Sequence, residues 1–486
     1  MRASPVRGRS SRCDGRCADS IPVMPFAAAT VRSGRRGAGC LATVRSVVAC
    51  SRLQQKRTEA AMKIAIIGAG IGGLTLALMC ERQGFEVEVW ETAQALRPLG
   101  VGINLLPHAA RQLCELGLED TLGALAIRTS ALAYYNRFGQ PIWHEPRGLA
   151  AGYDWPQFSV HRGEFQMALA DAVADRLGPG CIRPGHGFDA IQSTGEDGGP
   201  VHFTVRRRAD DTRVASSADV LIGADGIHSA VRRHFYPGGD APRFAGRMLW
   251  RAVTEAGPYL DGRTMFMAGH QDQKFVAYPI SEPLRRQGRA RINWIAELRV
   301  PDRAPPRSDW NREVDRAVFR DAFADWQWDW IDIPALIDGA QAVYEFPLVD
   351  KDPLPRWTFG RVTLLGDAAH PMYPIGSNGS AQAILDARAL VDCLLATRDI
   401  GLALREYEAD RLPRTAGIVL RNRLNGPEQV MQLAHERAPR GFGHIDDVIP
   451  CAELEGIAMR YKKLAGFDPQ SLRDQPPLPG RARVPA

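Results

Sequence analysis

The 486-residue chain contains no run of eighteen or more apolar residues, so no segment reads as a membrane-spanning helix. It has no repeat of solenoid or propeller period, which removes those architectures. HExxH, P-loop and GxSxG patterns are all missing, and with them the zinc-peptidase, P-loop and serine-hydrolase chemistries they mark. There is no CxxC and no metal-ligand spacing. Of nine cysteines, Cys13, Cys17, Cys40 and Cys50 fall in the first 61 residues, and Cys80, Cys114, Cys181, Cys393 and Cys451 are scattered singly. They read as small hydrophobes of a reducing compartment, so no metal and a cytoplasmic location are expected. Acidic residues are scarce only at the start. Residues 1–61 carry twelve Lys or Arg against three Asp or Glu, and the remaining chain carries 49 against 52, a net charge of −3. The overall +6 therefore gives no case for nucleic-acid binding. That leader is rich in Arg, Ser, Ala and Gly and lacks periodicity, and it is expected to be disordered and outside the fold. It reads as a start assigned too early, with Met62 the initiator, ahead of the competing reading as a transit peptide. A chain begun at Met62 is expected to fold as the full chain does.

With 45% apolar and 24% charged residues, the rest is ordinary globular protein of two or three domains. Its organising stretch is Met62–Glu91. Lys63–Ile67 is a short apolar β-branched run, the pattern of a strand buried on both faces. Gly68-Ala69-Gly70-Ile71-Gly72-Gly73 follows, then a helical segment ending near Gly84 and an alternating strand from Phe85 to Trp90. In such a βαβ step Gly68 permits the tight turn, Gly70 admits a pyrophosphate, and Gly73 lets helix and strand pack. The helix N-terminus then faces the phosphates. Glu91, eighteen residues after Gly73, is placed to accept from an adenosine ribose and to repel a 2′-phosphate, which favours FAD or NAD over NADP.

Two more strand-to-turn motifs place an aspartate where open α/β sheets bind ligands. Val220–Gly226 carries Asp225 and Gly226. Val362–His370 carries Gly366 and Asp367 and continues through Asn378-Gly379-Ser380 to a helix beginning near Ala381. Between Glu91 and the second motif, Arg97–Leu105 reads as a glycine-punctuated loop. Ala131–Glu145 reads as a hairpin reaching a second domain, and His161–Phe165 opens an amphipathic helix ending at Gly178. Strand-like runs at Met248–Thr254, Thr264–Ala268, Phe275–Ile280 and Arg291–Leu298 suggest a mixed or antiparallel sheet. Trp326, Trp328 and Trp330 read as core or interdomain packing rather than a stacking platform. The chain is expected to be helical from Asp386 to about Arg437, with Gln475–Pro479 a flexible tail. The expected fold is α/β: a Rossmann-like nucleotide-binding domain over 62–242 and 357–425, an inserted mixed-sheet substrate domain over 243–356, and a helical segment with tail over 426–486.

The three motifs in this order resemble the class A flavoprotein monooxygenases, aromatic hydroxylases built like p-hydroxybenzoate hydroxylase, over roughly residues 62–440. RPLGVGIN, EPRG, HRGEFQM, VAYPIS, DPLPRW and GRVTLLGDAAHPMYP resemble the salicylate-hydroxylase-like branch, and within it the pyocyanin-forming phenazine hydroxylases. The chain departs from salicylate hydroxylases at Ser377-Asn378-Gly379, where those often read Gly-Gln-Gly, and at Leu385, where they read Glu. The resemblance implies FAD held throughout turnover, NADH or NADPH as a transient reductant, and molecular oxygen. By it, Asp367 bonds the ribityl chain, Asp225 and Gly226 serve FAD and the pyridine nucleotide, and Arg162 lies along the FAD. The amides of Asn378, Gly379 and Ser380 sit against the flavin ring.

The oxygen delivered is electrophilic, so the substrate is expected to be an electron-rich aromatic bearing a hydroxyl or amino group, with loss of carbon dioxide if a carboxylate sits on the attacked carbon. For a carboxylated substrate Arg251, in Leu249-Trp250-Arg251-Ala252-Val253, is the candidate anchor, against an interdomain ion pair as its alternative role. Tyr278, Trp294 and Tyr373 are candidate cavity residues, with core packing as the alternative for each. His370 reads as a satisfied supporting group, and no general base stands out. Expected partners are the aromatic substrate and oxygen, with a homodimer left open. Two other readings stay open: an NAD- or flavin-dependent dehydrogenase that does not activate oxygen, and a flavin-binding protein without catalysis.

Overall fold

In the computed structural model, which describes residues 61–238, 241–300 and 312–480, Lys63–Ile67 is the middle strand of a five-stranded parallel sheet. The leader lies outside the described residues. Across the sheet the order is Val362–Leu364, Val220–Gly223, Lys63–Ile67, Glu86–Trp90 and Ile182–Arg183. All three motif strands are therefore neighbours, and their turns open on one sheet edge. Ile64, Ile66, Leu221 and Ile222 are fully buried, because helices cover both faces. Helix Ile71–Arg82 packs between helices Arg162–Leu177 and Gly379–Ala396, which explains why it is apolar nearly all round. Burying Leu74, Leu76, Leu78 and Met79 contributes about 1.5–3 kcal/mol each.

The second sheet is mixed and eight-stranded, and it contains all four strands read from residues 248–298. Hairpin Ala131–Tyr135/Pro141–Pro146 joins it, its first strand running parallel to Thr264–His270. Strand alternation divides the sheet's residues. Trp250, Phe266, Phe275 and Trp294 face a core closed by Phe319, Phe323, Trp326 and helix Ile333–Asp338. Leu249, Met267, Val276, Tyr278 and Ile295 face the other way. Trp326 is buried and Trp328 and Trp330 pack beside it, so the three tryptophans take the packing role expected of them.

Four features differ from the sequence reading. Gly102–Leu105 is a strand paired with Phe158–His161 rather than loop. An antiparallel meander of His186–Ser193, Val201–Arg207 and Thr212–Ala218, largely polar, and strand Tyr344–Asp350 were not anticipated. Gln475–Pro479 is docked, not loose. Its prolines leave carbonyls unpaired, and Arg111 donates to Gln475 O at 2.7 Å, Arg388 to Pro476 O and Pro477 O, and Gln83 to Pro479 O. Leu478 is buried beneath them.

Candidate active site

The glycine-rich turn opens on a groove of about 670 Å³. Gly68 has φ +111°, outside the range of ordinary residues. Gly70 caps helix Ile71–Arg82 with no side-chain hydrogen bond, leaving the first-turn amides as free donors. Glu91 lies on the groove wall, its Oε2 accepting from the Ala69 amide at 2.8 Å and Oε1 from the Ala93 amide at 2.7 Å. Each oxygen retains a lone pair for a ribose hydroxyl. Asp225 caps the helix that follows it, accepting from Ser229 Oγ and the Ala230 amide, and lines the groove with Gly226. Arg97, Arg208 and Arg233, which the sequence did not single out, add positive charge to its walls. Free amides, basic side chains and a ribose-facing carboxylate fit the ADP half of FAD.

Arg162 lines both this groove and a second cavity of about 250 Å³, where the two sheets meet. One wall of the cavity is the N-terminus of helix Gly379–Ala396, with Asp367, Asn378, Gly379 and Ser380. The opposite wall is the eight-stranded sheet. Strand register sets Leu249, Glu297 and Lys274 in one row, Arg251, Ile295, Val276 and Met267 in the next, and Asn293 and Tyr278 in a third. Rows on one face are about 7 Å apart. Arg251 Nη2 and Tyr278 Oη both donate to Gly102 O, at 3.1 and 2.9 Å. Arg251 Nε has no partner, and no carboxylate of the described residues pairs with this guanidinium. Burial pushes the Arg251 pKa down, and it pushes Tyr278 up to about 12, against the pull of Arg251. Asp367 is accessible from the cavity yet deep in the protein; burial raises its pKa against the opposing charges of His370 and Arg162.

Behind the Gly366-Asp367 turn lies a fully buried ion network. Asp386 Oδ2 accepts from the Gly366 amide at 3.0 Å and bonds His370 Nε2 at 2.6 Å; Oδ1 accepts from Arg411 Nε at 2.8 Å. Burial alone would raise the Asp386 pKa, but His370 and Arg411 outweigh it and hold it at about 2. Its folded pKa lies below the unfolded one, so the stabilisation is fully present above about pH 4 and is lost as pH falls toward 2. Asp386→Asn keeps the shape but leaves the Arg411 charge buried and unpaired. It is expected to cost about 3 kcal/mol at neutral pH, read as a lowered urea midpoint, and to cost little near pH 2. Equal loss at both pH values would refute the electrostatic account.

Arg251, Tyr278, Arg162, Asp367, Asn378, Gly379 and Ser380 thus converge on one cavity, and Gly68, Gly70, Glu91, Arg162, Asp225 and Gly226 on the adjoining groove. Gly73 and Gly366 support them from the turns behind, at Gly68 O and Ala383. Two expected cavity residues are elsewhere. Trp294 points into the opposite core, bonded through Nε1 to Thr254 Oγ1, because its strand neighbours Asn293 and Ile295 take the cavity face. Tyr373 is buried in an apolar cluster, while Met372 and Pro374 on either side reach the cavity. His370 takes a supporting place through Nε2, but it is not the satisfied group expected, since its buried Nδ1 has no partner among the described residues. The sequence reading missed Lys274, Glu297 and Glu428, a buried charged group on the cavity wall. Lys274 Nζ lies 2.9 Å from Glu297 Oε2 and 2.5 Å from Glu428 Oε2, and Arg247 Nη1 lies 2.9 Å from Glu297 Oε1. Burial opposes the Lys274 charge, but the two carboxylates prevail and raise its pKa.

Comparison with known proteins agrees with this geometry. The FAD binding domain family matches residues 61–422. Phenazine 1,6-dicarboxylic acid hydroxylase of Lysobacter antibioticus is 45% identical over 406 residues, 82% of this chain and 96% of that one. Salicylate hydroxylase of Pseudomonas putida is 30% identical, over 75% of this chain and 85% of that one. The solved structure of a Klebsiella pneumoniae HpxO variant complexed with FAD has a TM-score of 0.61 at 25% identity, covering 83% of this chain and 94% of that one. No helix among the described residues is long and apolar enough to cross a membrane. The chain belongs to the FAD-binding-domain family, among its FAD- and NAD(P)H-dependent aromatic monooxygenases.

Proposed function

We propose that the enzyme hydroxylates a fused or substituted aromatic carboxylate with NADH and molecular oxygen, and that carbon dioxide leaves when the carboxylate sits on the attacked carbon. One observation carries this reading. Arg251 places a guanidinium on the cavity wall alongside Leu249, Val276 and Ile295, its Nε unbonded and no carboxylate among the described residues paired with it. A buried cation without a counter-ion is costly, and a planar anion accepts from its fork. Phenazine 1,6-dicarboxylic acid, named for the Lysobacter relative, is an anion of this kind.

In this reading Arg251 fixes the substrate carboxylate, and Tyr278, kept protonated by burial, holds the Gly102 strand against it. Leu249, Met267, Val276 and Ile295 exclude water around the ring. The groove takes the ADP half of FAD through Gly70 and Glu91, with Asp225 and Gly226 at its edge. Arg162 spans the junction. Asp367 meets the ribityl chain, and the amides at Asn378, Gly379 and Ser380 meet the flavin ring. FAD, once bound and reduced, supplies the activated oxygen. The free cysteines among the described residues accord with a reducing, cytoplasmic setting.

The test is isotopic. Purified enzyme given NADH, an aromatic acid and ¹⁸O-labelled molecular oxygen is expected to put one label into each hydroxylated product, read by mass spectrometry. Label arriving from water, or full turnover without oxygen, would reject the reading in favour of a dehydrogenase.

A further inference from the structure

The cavity has a second polar end. Arg251 and Tyr278 lie toward Gly102, whereas Lys274 lies one strand row from Arg251 and two rows from Tyr278, about 7 and 14 Å along the sheet. Lys274, Glu297, Glu428 and Arg247 are each at least nine-tenths buried, yet the first three line the cavity. The four charges cancel, two cations against two carboxylates, so this end is neutral where the Arg251 end is positive.

An ammonium has three N–H donors. Lys274 spends two, on Glu297 Oε2 and Glu428 Oε2, which leaves one. Arg247 takes Glu297 Oε1. Glu428 accepts only through Oε2, so Oε1 is an acceptor without a protein partner among the described residues. One spare donor and one spare acceptor therefore belong to two bonded residues that both line the cavity.

We propose that Lys274 and Glu428 form a second polar subsite of the substrate cavity. It takes a neutral group that both accepts and donates, a ring hydroxyl or amino group, and turns away a second carboxylate. A hydroxyl satisfies both spare positions at once. A carboxylate only accepts, and it would sit against Glu428 and Glu297, where like charges repel. The substrate then carries its carboxylate and its hydroxyl or amino group on opposite edges of the ring system. This rests on Arg251 as the carboxylate anchor.

The FAD-loaded full chain is titrated, by the change in flavin visible absorption, with phenazine-1-carboxylate, 6-hydroxyphenazine-1-carboxylate and phenazine-1,6-dicarboxylate. The hydroxylated monocarboxylate is expected to bind about tenfold more tightly than either of the others. Glu428→Gln, with flavin content checked as the measure of folding, removes one carboxylate from the neutral set. The dicarboxylate is then expected to gain about tenfold while the hydroxyl preference shrinks. A wild-type enzyme that binds the dicarboxylate as tightly as the hydroxylated probe overturns the subsite, whether or not the variant folds. So does a hydroxyl preference below about threefold. If all three probes bind alike and all stimulate NADH oxidation, the subsite fails and the carboxylate anchor stands. If none binds, both fall.

Discussion

Gly70→Val is expected to yield a folded protein without flavin, and Gly73→Val is expected to yield no folded protein. Both glycines belong to the same turn, but their surroundings are opposite. Gly70 has φ −75° and ψ 178°, an extended conformation that any residue adopts, and a Cβ there meets nothing within 4 Å. The valine methyls would instead enter the groove at the uncapped helix N-terminus, where the pyrophosphate must approach the backbone. Overpacking of this kind costs about 3 kcal/mol, or about a hundredfold in FAD affinity. A Cβ on Gly73 would lie 2.1 Å from Gly68 O and 3.2 Å from Ile66 Cγ2. Those contacts are with the turn backbone and the buried central strand, and neither can move without opening the sheet. The check is the flavin-to-protein absorbance ratio with a thermal melt. Gly70→Val should be colourless with the midpoint of flavin-stripped wild type, and Gly73→Val insoluble or without a transition. A yellow Gly70→Val variant would remove the pyrophosphate from this groove.

The turn was legible because its constraints are local. Strand, glycines and Glu91 all act within thirty residues, so spacing alone carries them. The substrate wall depends on pairing between distant strands. Alternation shows that Trp294 and Ile295 face opposite ways, but both faces of the eight-stranded sheet are covered, and nothing local says which cover is the cavity. Lys274, Glu297 and Glu428 carry no motif, and charged residues are ordinarily solvated; register brings the first two together, and the Gly426–Glu428 turn adds the third. Gly102–Leu105 hid behind its glycines; as a strand it depends on Phe158–His161, more than fifty residues away. The departure at Ser377 also has a physical reading. Its φ is +56°, a left-handed conformation that costs a non-glycine residue roughly 1 kcal/mol, at the position where salicylate hydroxylases often carry glycine. The loop is held there by contacts no motif reports. Asn378 Nδ2 donates to Tyr461 Oη at 3.0 Å, and Tyr461 Oη donates to Asn422 Oδ1 at 3.0 Å.

Replacing Arg251 with Ala should raise the Michaelis constant for an aromatic carboxylate by about a hundredfold, as expected when a buried, hydrogen-bonded charge loses its partner. Flavin content should not change, because Arg251 lies on the sheet wall, away from the nucleotide groove. The guanidinium also donates to Gly102 O, so the loss has a structural alternative: the Gly102 strand loosens and the cavity deforms. Tyr278 Oη donates to that same oxygen, Asn293 Oδ1 accepts from the Gly102 amide at 2.7 Å, and the strand stays paired with Phe158–His161, so Gly102 remains tied in place. A neutral substrate separates the two roles. With the carboxylate replaced by a carboxamide, the Michaelis constants of wild type and Arg251→Ala should lie within about threefold, because the amide never had the charge to lose. Arg251→Lys should recover only part of the carboxylate affinity, since an ammonium supplies charge without the planar fork. If the carboxamide suffers as much as the carboxylate, Arg251 shapes the cavity and does not read the anion. Unchanged constants for both would remove it from substrate binding and leave the flavin chemistry of the protein untouched.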